Sequence, residues 1–294
     1  MGERALITGV TGFLGGRLSR RLADEGWEVH GVVRRPPEDN AVRALAPFCC
    51  AHRHDGSLES LSRIVQSVRP SVVFHLATRF VSEHRPSDVA PLIHDNILFG
   101  TQLLEAMRAA GVTRIVNAGS AWQHFRNAEY SPVSLYAATK KAFADLLEYF
   151  VEAADVRAVT LEFTDTYGSG DTRRKLIPIM FEAEALKREL SMVSGELPLN
   201  FLHVDDAIRA LVLAAGRLTA NQVAGHEVYA VRSNEPVTLK ELFAIWERAR
   251  GTRLKAKWGA RPYRAREVLE QWTQGAPLPG WEAKVPLAEG LRGL

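Results

Sequence analysis

RALITGVTGFLGGRLSRRLADE, residues 4–25, decides the fold. Residues 4–8 are a short apolar run that reads as a strand. Residues 17–25, with Leu18 and Leu22 one turn apart, read as a helix. Gly9, Gly12, Gly15 and Gly16 stand between them. Strand, glycine-rich turn and helix in that order let the backbone approach a pyrophosphate and aim free N–H groups and a positive dipole end at it. Gly9, Thr11, Gly12, Phe13, Leu14 and Gly15 are therefore a candidate dinucleotide turn.

The next segments extend this beginning. Residues 27–33 read as a second strand that ends in Arg34 and Arg35. An enzyme reading a ribose 2′-OH carries Asp or Glu near this point. Guanidinium groups instead bind a 2′-phosphate bidentately, which favours NADP(H) over NAD(H). A solvated basic turn is the competing reading, and Pro36 and Pro37 suit it. After a third strand, Asp55 and Gly56 precede a helix over 57–68; Asp55 either reaches an adenine amino group or caps that helix. Residues 71–76 (SVVFHL) form a buried strand, with His75 as a packed strand residue. Leu76, Ala77 and Thr78 then supply a small-residue wall for the dinucleotide. A helix over 91–110 carries Asn96, a strand over 112–118 delivers Ser120, and a helix over 133–153 carries Tyr136 and Lys140. This alternation predicts an α/β fold, a Rossmann-type doubly wound parallel sheet.

The pattern breaks after a strand over 157–164. Helices over 176–190, 205–215 and 239–250 (after a Thr238 cap), a strand over 227–231, and a tail rich in Pro, Gly and Trp follow. The expected division is a dinucleotide-binding domain over 1–165, to which 199–232 returns, and a smaller C-terminal substrate-binding lobe from 166–198 and 233–294. Ligands of such sheets bind beyond the carboxyl ends of the strands, so this lobe should close over that edge.

Tyr136 and Lys140 lie one helical turn apart on one face. An ammonium near a phenol favours the phenolate, which predicts a lowered Tyr136 pKa and a group able to exchange a proton with a substrate oxygen. Ser120 is placed to hydrogen-bond the same oxygen. The chain of 294 residues has a net charge of +3, too small and too scattered for a nucleic-acid surface. Its two cysteines, Cys49 and Cys50, are adjacent. No His/Cys spacing along the chain suggests a metal, and a reducing, cytoplasmic setting is expected. No apolar run approaches the length of a membrane span.

With TGVTGFLG, FHLAT, DNILFGTQLLEA, NAGS, YAATK, FTDTYG and FLHVDDA in this order, the chain resembles an extended short-chain dehydrogenase/reductase over essentially its full length. The resemblance implies that Thr8, Gly9, Gly12 and Gly15 form the dinucleotide turn and that Ser120, Tyr136 and Lys140 are catalytic. It also implies that Asn96 serves the same centre, anchoring a proton-relay water. WQHF, EYSPVSLYAATKKAF, DTYGSGDTRRKLIP and LPGW are similar to nucleotide-sugar 4-ketoreductases of the CDP-abequose and CDP-paratose synthase type. That likeness implies NADPH-dependent reduction of a 4-keto-6-deoxy sugar carried on a nucleoside diphosphate, with Tyr136 as general acid.

Trp122, Gln123 and His124 directly follow Ser120 and are expected to line the sugar pocket, His124 also being a candidate second acid. Ala121 and Trp122 replace the Asp-Glu pair of the family's dehydratases, which argues against dehydration. Leu199 stands where the wider family often has a diphosphate-binding Arg, so Arg264 and Lys175 are the candidate cations. Asp165 replaces a common family Asn, its role open. The family implies a homodimer through the helices bearing Asn96 and Tyr136, the second offering Phe143, Leu146, Leu147 and Phe150 as apolar surface. A nucleotide-sugar epimerase or another alcohol dehydrogenase of this fold, and a non-catalytic NADP(H)-binding regulatory protein, are the competing readings.

Overall fold

Every residue of strand Arg4–Thr8 (β1) after the first is fully or almost fully out of water, because the sheet it enters is covered on both faces. A computed structural model describes residues 2–294. Helix α1 (Phe13–Asp24) follows, then β2 (Glu28–Val33), α2 (Asn40–Arg43), β3 (Cys50–Arg53), α3 (Leu58–Val68) and β4 (Val72–His75). A helical segment then runs through α4 (Val89–Ile93), a π-helical turn (His94–Leu98) and α5 (Phe99–Ala110). It leads to β5 (Arg114–Ser120), α6 (Leu135–Ala154), β6 (Arg157–Phe163) and β7 (Asp165–Tyr167). The rest comprises α7 (Leu176–Ala185), β8 (Leu190–Ser191), β9 (Pro198–Leu199), β10 (Phe201–His203) and α8 (Val204–Thr219). After these come β11 (His226–Val231), β12 (Val237–Thr238), α9 (Leu239–Arg250), β13 (Ala256–Lys257) and α10 (Leu287–Arg292).

Seven parallel strands stand in the order β11-β6-β5-β4-β1-β2-β3. The order reverses between β1 and β4, the switch point beside which ligands of open α/β sheets sit. Alternation along β1 feeds two cores. Ala5 and Ile7 join Leu18 and Leu22 of α1 and Leu211 of α8. Leu6 joins Leu61 of α3, Leu104 of α5 and Phe143 and Leu147 of α6. Each of these Leu, Ile and Phe side chains contributes about 1.5–3 kcal/mol by leaving water. A third cluster, with Tyr167, Met180, Phe201, Leu242, Trp246 and Leu291, joins α7, α9 and α10 beyond the sheet.

The Pro-Gly-Trp tail is fixed by Asp206, which is wholly buried. Its carboxylate accepts from the Lys284 and Val285 amides (3.1 and 3.0 Å), and its carbonyl accepts from the Trp281 indole (3.1 Å). Phe143, Leu147 and Phe150 are sheet-facing core, not the outer apolar surface expected of them, because α6 turns that stripe onto β5 and β6. Among the described residues no helix is long and apolar enough to cross a membrane.

Candidate active site

The site begins at the glycine turn. Gly9 takes φ +73°, a region open to glycine, and a Cβ there would lie 2.7 Å from the Ala77 amide nitrogen; a Cβ on Gly15 would overlap the Gly9 carbonyl. α1 starts from Gly12 with no side-chain cap, so its first-turn amides remain available to an anion. A cavity of about 780 Å³ runs from this turn along the strand ends. Gly9, Thr11, Gly12, Phe13, Leu14, Gly15, Arg34, Gly56, Leu76, Ala77 and Thr78 line it, with Ser120, Tyr136 and Lys140 at its far end. His54, which the sequence reading missed, also lines it; its Nδ1 is buried with no protein partner. A backbone cradle closed to any Cβ, an uncapped helix start and an orphaned ring nitrogen together fit a dinucleotide.

Several candidates sit elsewhere. Thr8 is buried behind the wall, where its hydroxyl accepts from the Ala77 amide (3.2 Å) and meets His75 Nδ1 (2.9 Å). Arg35 turns away to Asp39 (3.0 Å), the cap of α2, while Arg34 stays at the cavity beside Asp95 (3.1 Å). Asp55 is fully exposed and accepts from the Ser57 amide and hydroxyl (2.9 and 2.6 Å), which makes it a turn residue ahead of α3. Asn96, expected at the reacting centre, does not line the cavity. Its oxygen accepts from the Thr78 hydroxyl (3.1 Å) and the Arg79 amide (2.7 Å), and its nitrogen donates to the Arg79 carbonyl (3.0 Å) and the Thr139 hydroxyl (2.9 Å). The π turn aims it inward, so it ties the loop after β4 to α6 and positions the centre from behind.

Ser120 ends β5, and its hydroxyl accepts from the Trp122 amide (3.2 Å). Ser134 caps α6, placing Tyr136 in the first turn and Lys140 one turn on. Burial pushes the Tyr136 phenol up to about 12, and the Ser120 and Thr78 hydroxyls only partly oppose it. The expected lowering does not appear because burial outweighs every group that favours the phenolate; the Lys140 ammonium is itself brought down to about 8 by burial. The phenol is thus held neutral, the form in which it gives up a proton.

A second cavity of about 410 Å³ adjoins the first, sharing Phe80, Trp122, Asp165, Arg174 and Lys175 with it. His124, Arg264, Glu267 and Trp272 lie on its wall. Lys175 Nζ donates to Asp165 (2.8 Å) and stands 5.0 Å from the Phe80 ring centroid. Arg264 stacks over Trp122 (5.2 Å) and donates twice to Glu267. Arg174, exposed and lining both cavities, has no ion-pair or hydrogen-bond partner among the described residues.

Gln123 lines neither cavity. It is buried, and its amide donates to Glu162 of β6 (2.7 Å) and to the Ser120 carbonyl (3.1 Å). Glu162 also accepts from His124 Nε2 (2.9 Å), while His124 Nδ1 meets the Ala128 carbonyl (3.1 Å). Burial pulls the His124 pKa down, but Glu162 and the carbonyls outweigh it and raise the group above its ordinary value. Both ring nitrogens are committed, so His124 has no proton to offer a substrate. Its ring stacks on Trp272 at 3.9 Å and 7°, holding that indole as a flat wall of the second cavity.

The sequence model of the NAD dependent epimerase/dehydratase family matches residues 5–230. A CDP-abequose synthase from Salmonella muenchen is 24% identical over 294 residues, covering 99% of this chain and 96% of that protein. A UDP-glucose 4-epimerase from Mycolicibacterium smegmatis is 26% identical, covering 98% of this chain and 96% of that protein. Among solved structures, MoeE5 in complex with UDP-glucuronic acid and NAD superposes with a TM-score of 0.81 at 26% identity, covering 99% of this chain and 97% of that one. A UDP-glucose 4-epimerase from Brucella ovis in complex with NAD gives 0.85 at 19% identity, covering 99% and 97%.

Proposed function

Because the chain belongs to the NAD dependent epimerase/dehydratase family, the extended short-chain dehydrogenase/reductases, we propose that it reduces a 4-keto-6-deoxy sugar nucleotide to the 4-hydroxy sugar nucleotide with NADPH. The observation that carries this reading is a buried Tyr136 phenol, held protonated, at the end of the large cavity beside a second pocket. Bound along the first cavity, the dinucleotide supplies a hydride. Tyr136 gives its proton to the ketone oxygen, and the Ser120 hydroxyl donates to that oxygen as negative charge develops, an effect of about 3–4 kcal/mol when preorganised. Lys140 supports the nicotinamide ribose. Arg34 favours a 2′-phosphate.

The second cavity suits the other half of the substrate. Arg174, with Lys175 and Arg264, offers positive charge to a diphosphate, in place of the arginine missing at Leu199. Trp122 and Trp272 offer flat faces to a hexose. Likeness over nearly the full chain to a CDP-abequose synthase supports a ketosugar substrate; comparable likeness to a 4-epimerase makes redox-neutral epimerisation the second reading. A homodimer belongs to the proposal, with Val89, Ile93, Leu98 and Tyr149, all exposed on α4–α6, as its apolar contact. Tyr136→Phe should lower turnover about 10²–10⁴-fold while NADPH still binds, as read by fluorescence. Unchanged turnover would overturn the assignment.

A further inference from the structure

At the far edge of the sheet, β2 and β3 pair so that His30 stands opposite Cys50, and Val32 opposite His52. Side chains alternate along strands, so His30, Cys50 and His52 share one face. One ligand atom from each lies within 4.8 Å of the others. His30 Nδ1 and His52 Nε2 are 2.9 Å apart, and His30 Nε2 is 3.0 Å from a Glu28 carboxylate oxygen. A carboxylate on Nε2 takes that nitrogen's proton as its hydrogen bond, which leaves Nδ1 a lone pair aimed at His52. Cys50 is exposed, whereas Cys49 is buried in the opposite core with its thiol pushed up to about 12.

We propose that His30, Cys50 and His52 form a binding site for a zinc-type divalent cation, with Glu28 as the outer carboxylate that orients His30. Two imidazoles and a thiolate are the donor set that favours zinc over magnesium or calcium. Tetrahedral bonds of about 2.0–2.1 Å to nitrogen and about 2.3 Å to sulfur put the ligand atoms about 3.3–3.6 Å apart. The two rings therefore part by only a few tenths of an ångström. On binding, Cys50 loses its thiol proton to solvent, and the His52 proton moves from Nε2 to Nδ1, so one proton leaves per cation. The fourth position stays open to water. The site lies away from Tyr136, but it clips together two strands whose next inward-facing residues, Val32 and His54, line the large cavity. Its chemistry is independent of the proposed reduction.

The test is titration of the metal-free, reduced protein with Co²⁺ and then Zn²⁺. One Co²⁺ per chain should give a near-ultraviolet thiolate charge-transfer band and intense visible bands of four-coordinate cobalt, bleached by Zn²⁺. Cys50→Ser, at an exposed position, should abolish the charge-transfer band with the thermal midpoint of the metal-free protein unchanged. Glu28→Gln should weaken Zn²⁺ about 10–100-fold. A weak octahedral cobalt spectrum that is the same in Cys50→Ser, or several equivalent ions per chain, would mean adventitious binding only and overturn the proposal.

Discussion

Replacing Glu162 with Gln tests how the second cavity is built. The Glu162 carboxylate accepts from both Gln123 and His124 in a nearly dry setting, with the two ion-pair side chains 9% and 11% exposed. A hydrogen bond to a charged group in such a place contributes about 1.5–3 kcal/mol. For a chain of this length that predicts a Tm lower by about 2–5 °C. The pH dependence gives the sharper signature. His124 has a folded pKa raised above its ordinary 6.5, so its contribution is fully present below that value and is lost as pH rises through the raised one. Glu162→Gln leaves burial, the largest cause and one that lowers, in command, so protonation of His124 then opposes folding. Urea unfolding of both proteins at pH 6 and pH 8.5 should show the greater loss at pH 6. The KM for the sugar nucleotide should rise as Trp272 loses its stacked support, while NADPH affinity holds. An equal loss at both pH values, or a loss below about 0.5 kcal/mol, would refute this reasoning.

Three other substitutions probe the remaining parts. Asn96→Ala strands the Arg79 amide and carbonyl, while the Thr139 hydroxyl keeps its bond to the Tyr136 carbonyl, and should cost about 1–3 kcal/mol by urea unfolding and lower kcat through displacement of Thr78. Arg34→Gln gives up one pair, between a mostly exposed guanidinium and Asp95, which keeps Arg79 and His94 as partners, so stability should hold within about 1 kcal/mol; NADPH affinity should fall about 10–100-fold by calorimetry, with NADH affected far less. Lys140, brought from 10.5 to about 8 by burial, costs stability wherever the unfolded chain binds the proton more tightly, that is, below about 10. Lys140→Met should therefore abolish turnover and raise unfolding free energy near pH 7 by on the order of 2–3 kcal/mol.

What the sequence made legible was local. The strand, glycine turn and helix at residues 4–25 follow from side-chain period and from backbone space at Gly9 and Gly15, both written within a few residues. The Ser134 cap and the Tyr136–Lys140 turn are local in the same way. What stayed hidden depends on partners far along the chain. Gln123 turns from the sugar pocket because its acceptor, Glu162, lies 39 residues away on the next strand; the one signal was an acid inside the apolar run RAVTLEF. Asn96 was visible as a special residue, yet three of its four bonds go to Thr78 and Arg79 in the loop after β4 and the fourth to Thr139 of α6, 43 residues on, so its role depends on tertiary packing. Arg34 and Arg35 look equivalent in sequence, but Asp39 caps α2 and claims one of them. A four-residue spacing does not carry the depth at which α6 buries the Tyr136 phenol, and that burial sets its pKa. The His30–Cys50–His52 group escapes any spacing rule, since strand register creates it.

The most direct measurement is NADPH oxidation by the purified protein with CDP-, dTDP- and GDP-linked 4-keto-6-deoxy sugars, followed by absorbance with product analysis. The account predicts one NADPH consumed per 4-hydroxy sugar nucleotide formed with at least one of them. Isomerised sugar nucleotide with no net change in NADPH would contradict it and establish the epimerase instead.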